Sequence, residues 1–230
     1  MPRRVGLALT VSAALVLAPA PGRASDEVVL PAANVFPPGG AASERTLDRP
    51  LTDLAAAWKA RTGRSRFAKR IVISKSRRRM DVYADGDVLK SYVVELGLAP
   101  VGDKRVLGDM RTPEGDLFVC TKSRKSQFTR FIGLSYPTPP AAVEGVAAGR
   151  VGAGVERKVR AAYRTRNRCP PWGTPLGGAV GIHGGGVWER RPEGFVLVDW
   201  TWGCVAVRDE DIHELFDQYV EIGVPVRIDP

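Results

Sequence analysis

The chain has 230 residues, 44% hydrophobic and 26% charged, with 34 Lys and Arg against 25 Asp and Glu for a formal charge of +9. Those proportions exclude a disordered chain and a multi-span membrane protein, and they suit one ordinary domain with extensions. With two His, three Cys and no Cys-x-x-Cys, they also argue against a structural zinc site.

The first segment reads as an address. Met1-Pro-Arg-Arg4 is followed by a mostly apolar run from Val5 to Ala18, too short to span a bilayer comfortably. Pro19 and Pro21 break any helix, and Gly22-Arg23-Ala24 places small residues where a signal peptidase reads them. This predicts a secretory leader over residues 1–24 and an exported protein of the periplasm or cell envelope, with no transmembrane span once the leader is gone. Its removal takes three Arg and no acid, which leaves a charge of +6 on the remaining 206 residues. Lys75-Ser-Arg-Arg-Arg79, Lys122-Ser-Arg-Lys125 and Arg164-Thr-Arg-Asn-Arg168 would suit nucleic acid inside a cell. For an exported chain the fitting partners are an anionic envelope polymer or phospholipid headgroups, with no nucleic acid, and each run reads first as solvated loop surface.

Residues 25–65 are Pro- and Gly-rich at first, as in a linker or loosely docked arm. Leu51, Leu54, Ala55 and Trp58 then recur at helical spacing before Gly63, which predicts one helix over 51–62. From residue 66 to 230 strands dominate: 71–73, 80–83, 88–94, 117–120, 131–134, 179–182, 195–198 and 224–228. Asp85-Gly86 marks a hairpin. A short helix is expected over 155–163, and a second carries Ile212, Leu215, Phe216, Tyr219 and Val220 on one face, capped by Asp209 and stopped by Gly223. The fold class expected is α+β and β-rich.

One His and one Cys stand out. His183 ends an apolar strand and precedes Gly184-Gly-Gly186, while Cys204 follows Thr201-Trp-Gly203 after another apolar strand. If the strands 179–182 and 195–198 pair, imidazole and thiol emerge at one end of a sheet. A thiol with a pKa near 8.5 is only a few per cent thiolate at neutral pH, so it needs a base, and imidazole is suited to take that proton and return it. The ring's other nitrogen needs a partner to fix its tautomer. The Gly184 carbonyl is the first candidate and Asp199 the second. Gly203 and the glycines after His183 would bring backbone N–H groups to a developing oxyanion. A buried structural Cys and a core His would look alike in isolation. A lipase-type loop would need Gly-x-Ser-x-Gly, which Gly133-Leu-Ser-Tyr-Pro137 misses, and His-Glu-x-x-His is absent.

The same residues resemble a known family. Ile182-His-Gly184, Thr201-Trp-Gly-Cys-Val205, the Asp-Ile-x-Glu-Leu-Phe helix and Gly-Val-Pro-Val are similar to the YkuD-type L,D-transpeptidase catalytic domain. So are Thr112-Pro-Glu-Gly115 and the hairpin from Ser74 to Gly97, so that the likeness spans roughly residues 70–229. It implies an exported cysteine enzyme acting on peptidoglycan stem peptides through a thioester. Cys204 would be the nucleophile, His183 the base and the Gly184 carbonyl its orienter, with the Gly203 and Cys204 N–H groups in the oxyanion hole. Thr201, Trp202 and Arg208 are the expected substrate contacts. No metal or organic cofactor is implied. Ala206 stands where typical members carry Arg, and the Asp199–Val207 run is closer to the YafK-like branch, which includes an enzyme that detaches a lipoprotein from the wall. Hydrolysis that releases a wall-attached lipoprotein or an amino acid is therefore the alternative to transfer. A catalytically idle wall-binding module is the third reading.

The remaining residues carry weaker signals. Trp188, Trp200 and Trp202 flank the expected cleft, either lining it or packing in the core. His213 is expected on the surface. Cys120 and Cys169 could pair outside the cytoplasm, but Cys120 lies within a strand pattern that favours a small buried free thiol. Cys204 is expected to stay unpaired.

Overall fold

The computed structural model describes residues 34–36 and 46–230. The expected leader 1–24 lies outside the described residues, as does most of the arm before residue 46. In chain order the strands are β1 (Asn34–Phe36), β2 (Lys69–Ser74), β3 (Arg79–Ala84), β4 (Asp87–Val93), β5 (Gly115–Ser123) and β6 (Phe131–Leu134). They continue as β7 (Gly181–His183), β8 (Glu189–Arg191), β9 (Gly194–Leu197), β10 (Val205–Ala206) and β11 (Pro225–Asp229). Four short helices accompany them: α1 (Leu51–Thr62), α2 (Pro139–Ala147), α3 (Ala153–Thr165) and α4 (Asp209–Glu214).

Eight strands form one mixed sheet in the order β10-β7-β6-β5-β11-β2-β3-β4. The sheet curls until its edges meet. Just beyond β4, Glu95 bridges Ala206 of β10, with Glu95 N–H to Ala206 O at 2.9 Å and Ala206 N–H to Glu95 O at 2.8 Å. Joining the two edges in this way satisfies backbone groups that an open sheet would leave unpaired. Ile71, Val82, Leu96, Ile132, Ile182 and Val205 fill the interior with no exposed surface. The hairpin expected at Asp85-Gly86 joins β3 to β4, both residues having positive φ (49° and 95°), as a two-residue turn of this hand requires.

Helix α1 takes the expected span and ends on Gly63, which is left-handed at φ 69°. Its Leu51, Leu54 and Trp58 are buried in the same core as the sheet, each side chain contributing about 1.5–3 kcal/mol by burial. The Leu51 N–H also donates to Glu214 at 2.7 Å, which anchors the helix to α4.

Several expectations are corrected. Strand 195–198 does not lie beside the His183 strand: β9 pairs with β1 and β8 in a separate three-stranded sheet. β7 instead lies between β6 and the two-residue β10, which is too short to register as a strand in the sequence. Helix α4 begins with Asp209, Arg208 holding the cap position, because the Asp209 carboxylate is drawn away to Gly185 N–H. Residues Leu215–Tyr219 continue as a wider π turn that stops at Val220, three residues before Gly223. Lys122 Nζ takes the Phe216 and Val220 carbonyls at 2.6 Å each. The first basic cluster is partly interior. Lys75 is 2% exposed, bound to Gly102 O, Thr112 O and Glu114, and Arg78 is bound to Asp199.

Cys120 and Cys169 form a disulfide, against the free thiol expected of Cys120. The β5–β6 register shifts between Val119 and Thr121, so Cys120 sits in a bulge and is freed from the strand's alternation. Closing a segment of 49 residues restricts the unfolded chain by about 4 kcal/mol in the entropy model. The paired Cys120→Ser/Cys169→Ser variant should lower the urea midpoint by a matching free energy, and an unchanged midpoint would count against this.

Candidate active site

His183 is the last residue of β7, between Phe131 of β6 and Ala206 of β10. It is 2% exposed. Its Nδ1 lies 2.7 Å from the Gly184 carbonyl, which can only accept, so Nδ1 carries the proton and a neutral ring presents a bare Nε2. Phe128 stacks on the ring at 4.3 Å between centroids, and Trp200 meets it edge-on at 5.6 Å. Burial among these rings lowers the His183 pKa from its ordinary 6.5, with the Gly184 carbonyl working the other way. Asp199, the second candidate orienter, is engaged elsewhere. It accepts Arg78 Nε at 3.0 Å and Leu96 N–H at 2.8 Å.

Cys204 is half-buried and is the free thiol among the described cysteines. Ala206 lies beside His183 in the parallel pair, and Cys204 stands two residues earlier. Cys204 thus immediately precedes the strand that pairs with the one ending in His183. Sγ lies 3.8 Å from Ala179 O, and the Gly181 N–H points at it. Burial pushes the thiol pKa up, while the Gly181 N–H and the charge of Lys104 oppose that.

The turn carrying Cys204 is held from both sides. Trp200 and Thr201 N–H both donate to Leu96 O at 3.1 Å, and Leu98 N–H donates to Thr201 O at 3.0 Å. Thr201 Oγ1 donates to Cys204 O at 2.7 Å and accepts Gly203 N–H at 3.1 Å. Thr112, of the Thr-Pro-Glu-Gly segment, accepts Gly97 N–H at 3.1 Å and lies 3.5 Å from Cys204 O. Gly203 has φ 119°, and a Cβ there would stand 2.6 Å from the Arg111 carbonyl. Only glycine fits that position.

The expected site residues fare differently. His183, Gly184, Thr201, Gly203 and Cys204 are brought together. Thr201 is buried and serves the turn, leaving no surface for a substrate contact, while Trp202 beside it is 79% exposed. Arg208 points away to the small sheet: its guanidinium lies 3.6 Å over the Trp188 ring and donates to Trp188 O at 2.9 Å. The glycines after His183 do not offer free N–H groups, because Gly184, Gly185 and Gly186 donate to Phe128 O, Asp209 and Val207 O. Gly184 and Gly186 are small because neighbours pass close, a Cβ on Gly186 standing 2.7 Å from the Val207 backbone, while Gly185 takes a φ of 87°. The Gly203 N–H would have to exchange Thr201 for an oxyanion.

Three contributors were not singled out in the sequence. Phe128 lies just past the Lys122–Lys125 run, in a stretch given no reading of its own. Glu95 is fully buried, and it accepts Trp200 Nε1 at 2.7 Å and Val187 N–H at 3.1 Å. A lone acid between Val94 and Leu96 was a signal for such a role. Lys104 had no signal beyond lying upstream of the Thr-Pro segment. Among the described residues no group of three or more His, Cys, Asp and Glu is placed to hold a metal ion, and no helix is long and apolar enough to cross a membrane.

The curled mixed sheet thus carries a histidine of fixed tautomer at the end of one strand and a free thiol just before its parallel neighbour. Residues 68–228 match the model of the YkuD family, the L,D-transpeptidase catalytic domain, and the chain belongs to that family. Solved structures with a similar fold include the helical cell-shape-determining protein Pgp2 of Campylobacter jejuni, 19% identical over 71% of this chain and 48% of that one, with TM-score 0.46. The L,D-transpeptidase of Xylanimonas cellulosilytica is 16% identical over 72% and 62%, with TM-score 0.38. L,D-transpeptidase 1 of Mycobacterium tuberculosis is 14% identical over 71% and 63%, with TM-score 0.39. The match therefore spans about half to two thirds of those chains. No curated protein matches the sequence.

Gly203→Ala should destabilise the fold by about 1–3 kcal/mol through backbone strain and the Arg111 contact. Gly152→Ala, where a Cβ meets nothing within 4 Å, should leave the melting temperature within a degree or two. Equal melting temperatures for both variants would argue against the close approach.

Proposed function

We propose that this chain is an exported cysteine acyltransferase of peptidoglycan stem peptides. The observation that supports it is a free thiol, Cys204, immediately before the strand that pairs with the one ending in His183, whose Nδ1 is occupied by the Gly184 carbonyl, in a YkuD-family domain. His183 Nε2 takes the Cys204 proton as Sγ bonds to the carbonyl carbon of the stem peptide. The resulting oxyanion is met by the Cys204 N–H and, after exchange from Thr201, the Gly203 N–H. The C–N bond then breaks, the imidazolium gives its proton to the departing amine, and a thioester remains. Attack by an incoming amine restores the thiol and forms a new amide. Export by a leader over residues 1–24 is part of this proposal.

Hydrolysis is the second reading, favoured by one observation. Ala206, in the place where typical members carry Arg, is fully buried between His183 and Glu95 and offers no group to order an acyl donor. In that reading water attacks the thioester, and a shortened stem or a released lipoprotein is the product, as in the YafK-like branch.

Incubating the chain from Ser25 onward with purified peptidoglycan and analysing the muropeptides by mass spectrometry tests these readings. New cross-links point to transfer, and shortened stems or liberated protein to hydrolysis. Cys204→Ala and His183→Ala should each lower turnover at least about a thousandfold with circular dichroism unchanged. Wall binding and cellular phenotype unaffected by Cys204→Ala would instead identify a binding module.

The pH profile is a further check. The reaction needs a neutral imidazole, and burial holds the His183 pKa below 6.5. Activity should therefore persist at pH 6.5 and fall only as the pH drops through that lower value. An acid limb of kcat/KM centred above 6.5 would contradict this.

A further inference from the structure

Both reacting groups are desolvated, which disfavours the thiolate and the imidazolium alike. A nucleophilic sulfur in this setting needs positive charge near it. One cation stands close by, on the loop that braces the nucleophile turn. Lys104 has a side chain 3% exposed, and its Nζ lies 3.9 Å from the position a Cβ on Gly203 would take. The ammonium donates to Asp109 Oδ1 at 2.7 Å and to Val106 O at 3.1 Å.

Asp109 is itself fixed. It accepts the N–H groups of Arg105 and Val106 through Oδ2, at 2.7 and 3.1 Å, and of Arg111 through Oδ1 at 3.2 Å. Against the opposing effect of its burial, these bonds and that of Lys104 hold its carboxyl below the usual range. The Tyr136 ring lies 5.9 Å from Lys104 Nζ, and its hydroxyl donates to Lys104 O at 3.1 Å. The same loop presses the Arg111 carbonyl against Gly203. A buried ammonium therefore has a rigid mount next to the residue preceding Cys204.

We propose that Lys104 is a positioning residue for the nucleophile, its ammonium, held by Asp109, stabilising the thiolate form of Cys204. The inference rests on Cys204 being the reactive thiol. The charge acting on the sulfur is that of Lys104 from this loop, and the titratable His183 ends β7, the strand paired with β10. The charged and titratable groups facing Lys104 are Asp109 and Tyr136. Asp109, paired with the ammonium, tempers the effect, and it is Lys104 whose charge acts on the thiol.

Alkylation gives a readout independent of turnover, since Cys120 and Cys169 are bridged and Cys204 is the one free thiol among the described residues. The rate of iodoacetamide labelling is measured from pH 5 to 10 for the wild type, Lys104→Met, Lys104→Arg and the double variant Lys104→Met/Asp109→Asn. Lys104→Met should move the labelling profile about one pH unit upward and slow labelling at pH 7 about tenfold, while Lys104→Arg keeps it near wild type. The double variant removes both charges, so it avoids the unpaired Asp109 that could unfold Lys104→Met, and it should show a smaller upward shift. A wild-type profile in a folded Lys104→Met, or in the folded double variant, would overturn the proposal. A shifted profile in a chain that leaves peptidoglycan untouched would keep this inference and reject the proposed function. An unshifted profile with intact turnover would do the reverse.

Discussion

The site exists because a sheet closes on itself. Glu95, at the end of one edge, exchanges two backbone hydrogen bonds with Ala206 at the other, and the same glutamate reaches Trp200 and Val187 with its side chain. Through those contacts the strand bearing His183, the turn bearing Cys204 and the loop after His183 become parts of one seam. A buried carboxylate is costly unless its oxygens are bonded, and burial does raise the Glu95 pKa. Both oxygens have donors. The indole that satisfies one of them packs edge-on against the imidazole, so a bond made for stability also sets the attitude of the base.

Charge in this protein is used inside as much as outside. Lys75, Arg78, Lys90 and Lys104 are all buried, each with a carboxylate partner from a distant part of the chain or from its own loop. Arg78 to Asp199 ties the turn between β2 and β3 to the segment leading into the nucleophile turn, and losing either partner alone leaves an uncompensated charge that costs about 3–5 kcal/mol. The basic composition thus reflects an ion-paired framework around the seam as well as a solvated exterior. That framework explains how short strands and long loops are held in register near the thiol.

Much of this was legible from local pattern. Helix α1, the β3–β4 hairpin and the β6 strand follow directly from apolar spacing and turn residues. The His183–Gly184 pair and Cys204 stood out because glycines surround them. Helix α2 also carried a signal, Thr138 before two prolines, which matches its observed cap: Thr138 Oγ1 accepts Ala141 N–H. What local pattern missed shares one cause. Strand β10 is two residues long, β8 is made of exposed charged residues, and the Cys120 bulge breaks the alternation, so none has a period to detect.

The sequence alone determined which side chains could do chemistry, since two His and three Cys leave few choices and glycine spacing marks where backbone crowds. Partnership was settled only by the tertiary structure. The fold bonded Cys120 to Cys169, turned Asp199 to Arg78 and Arg208 to Trp188, and gave the N–H groups of Gly184, Gly185 and Gly186 to the framework. Residue type sets what an atom can donate or accept, but which atom it meets depends on contacts between segments 20 to 121 residues apart, and local periodicity carries no information about those.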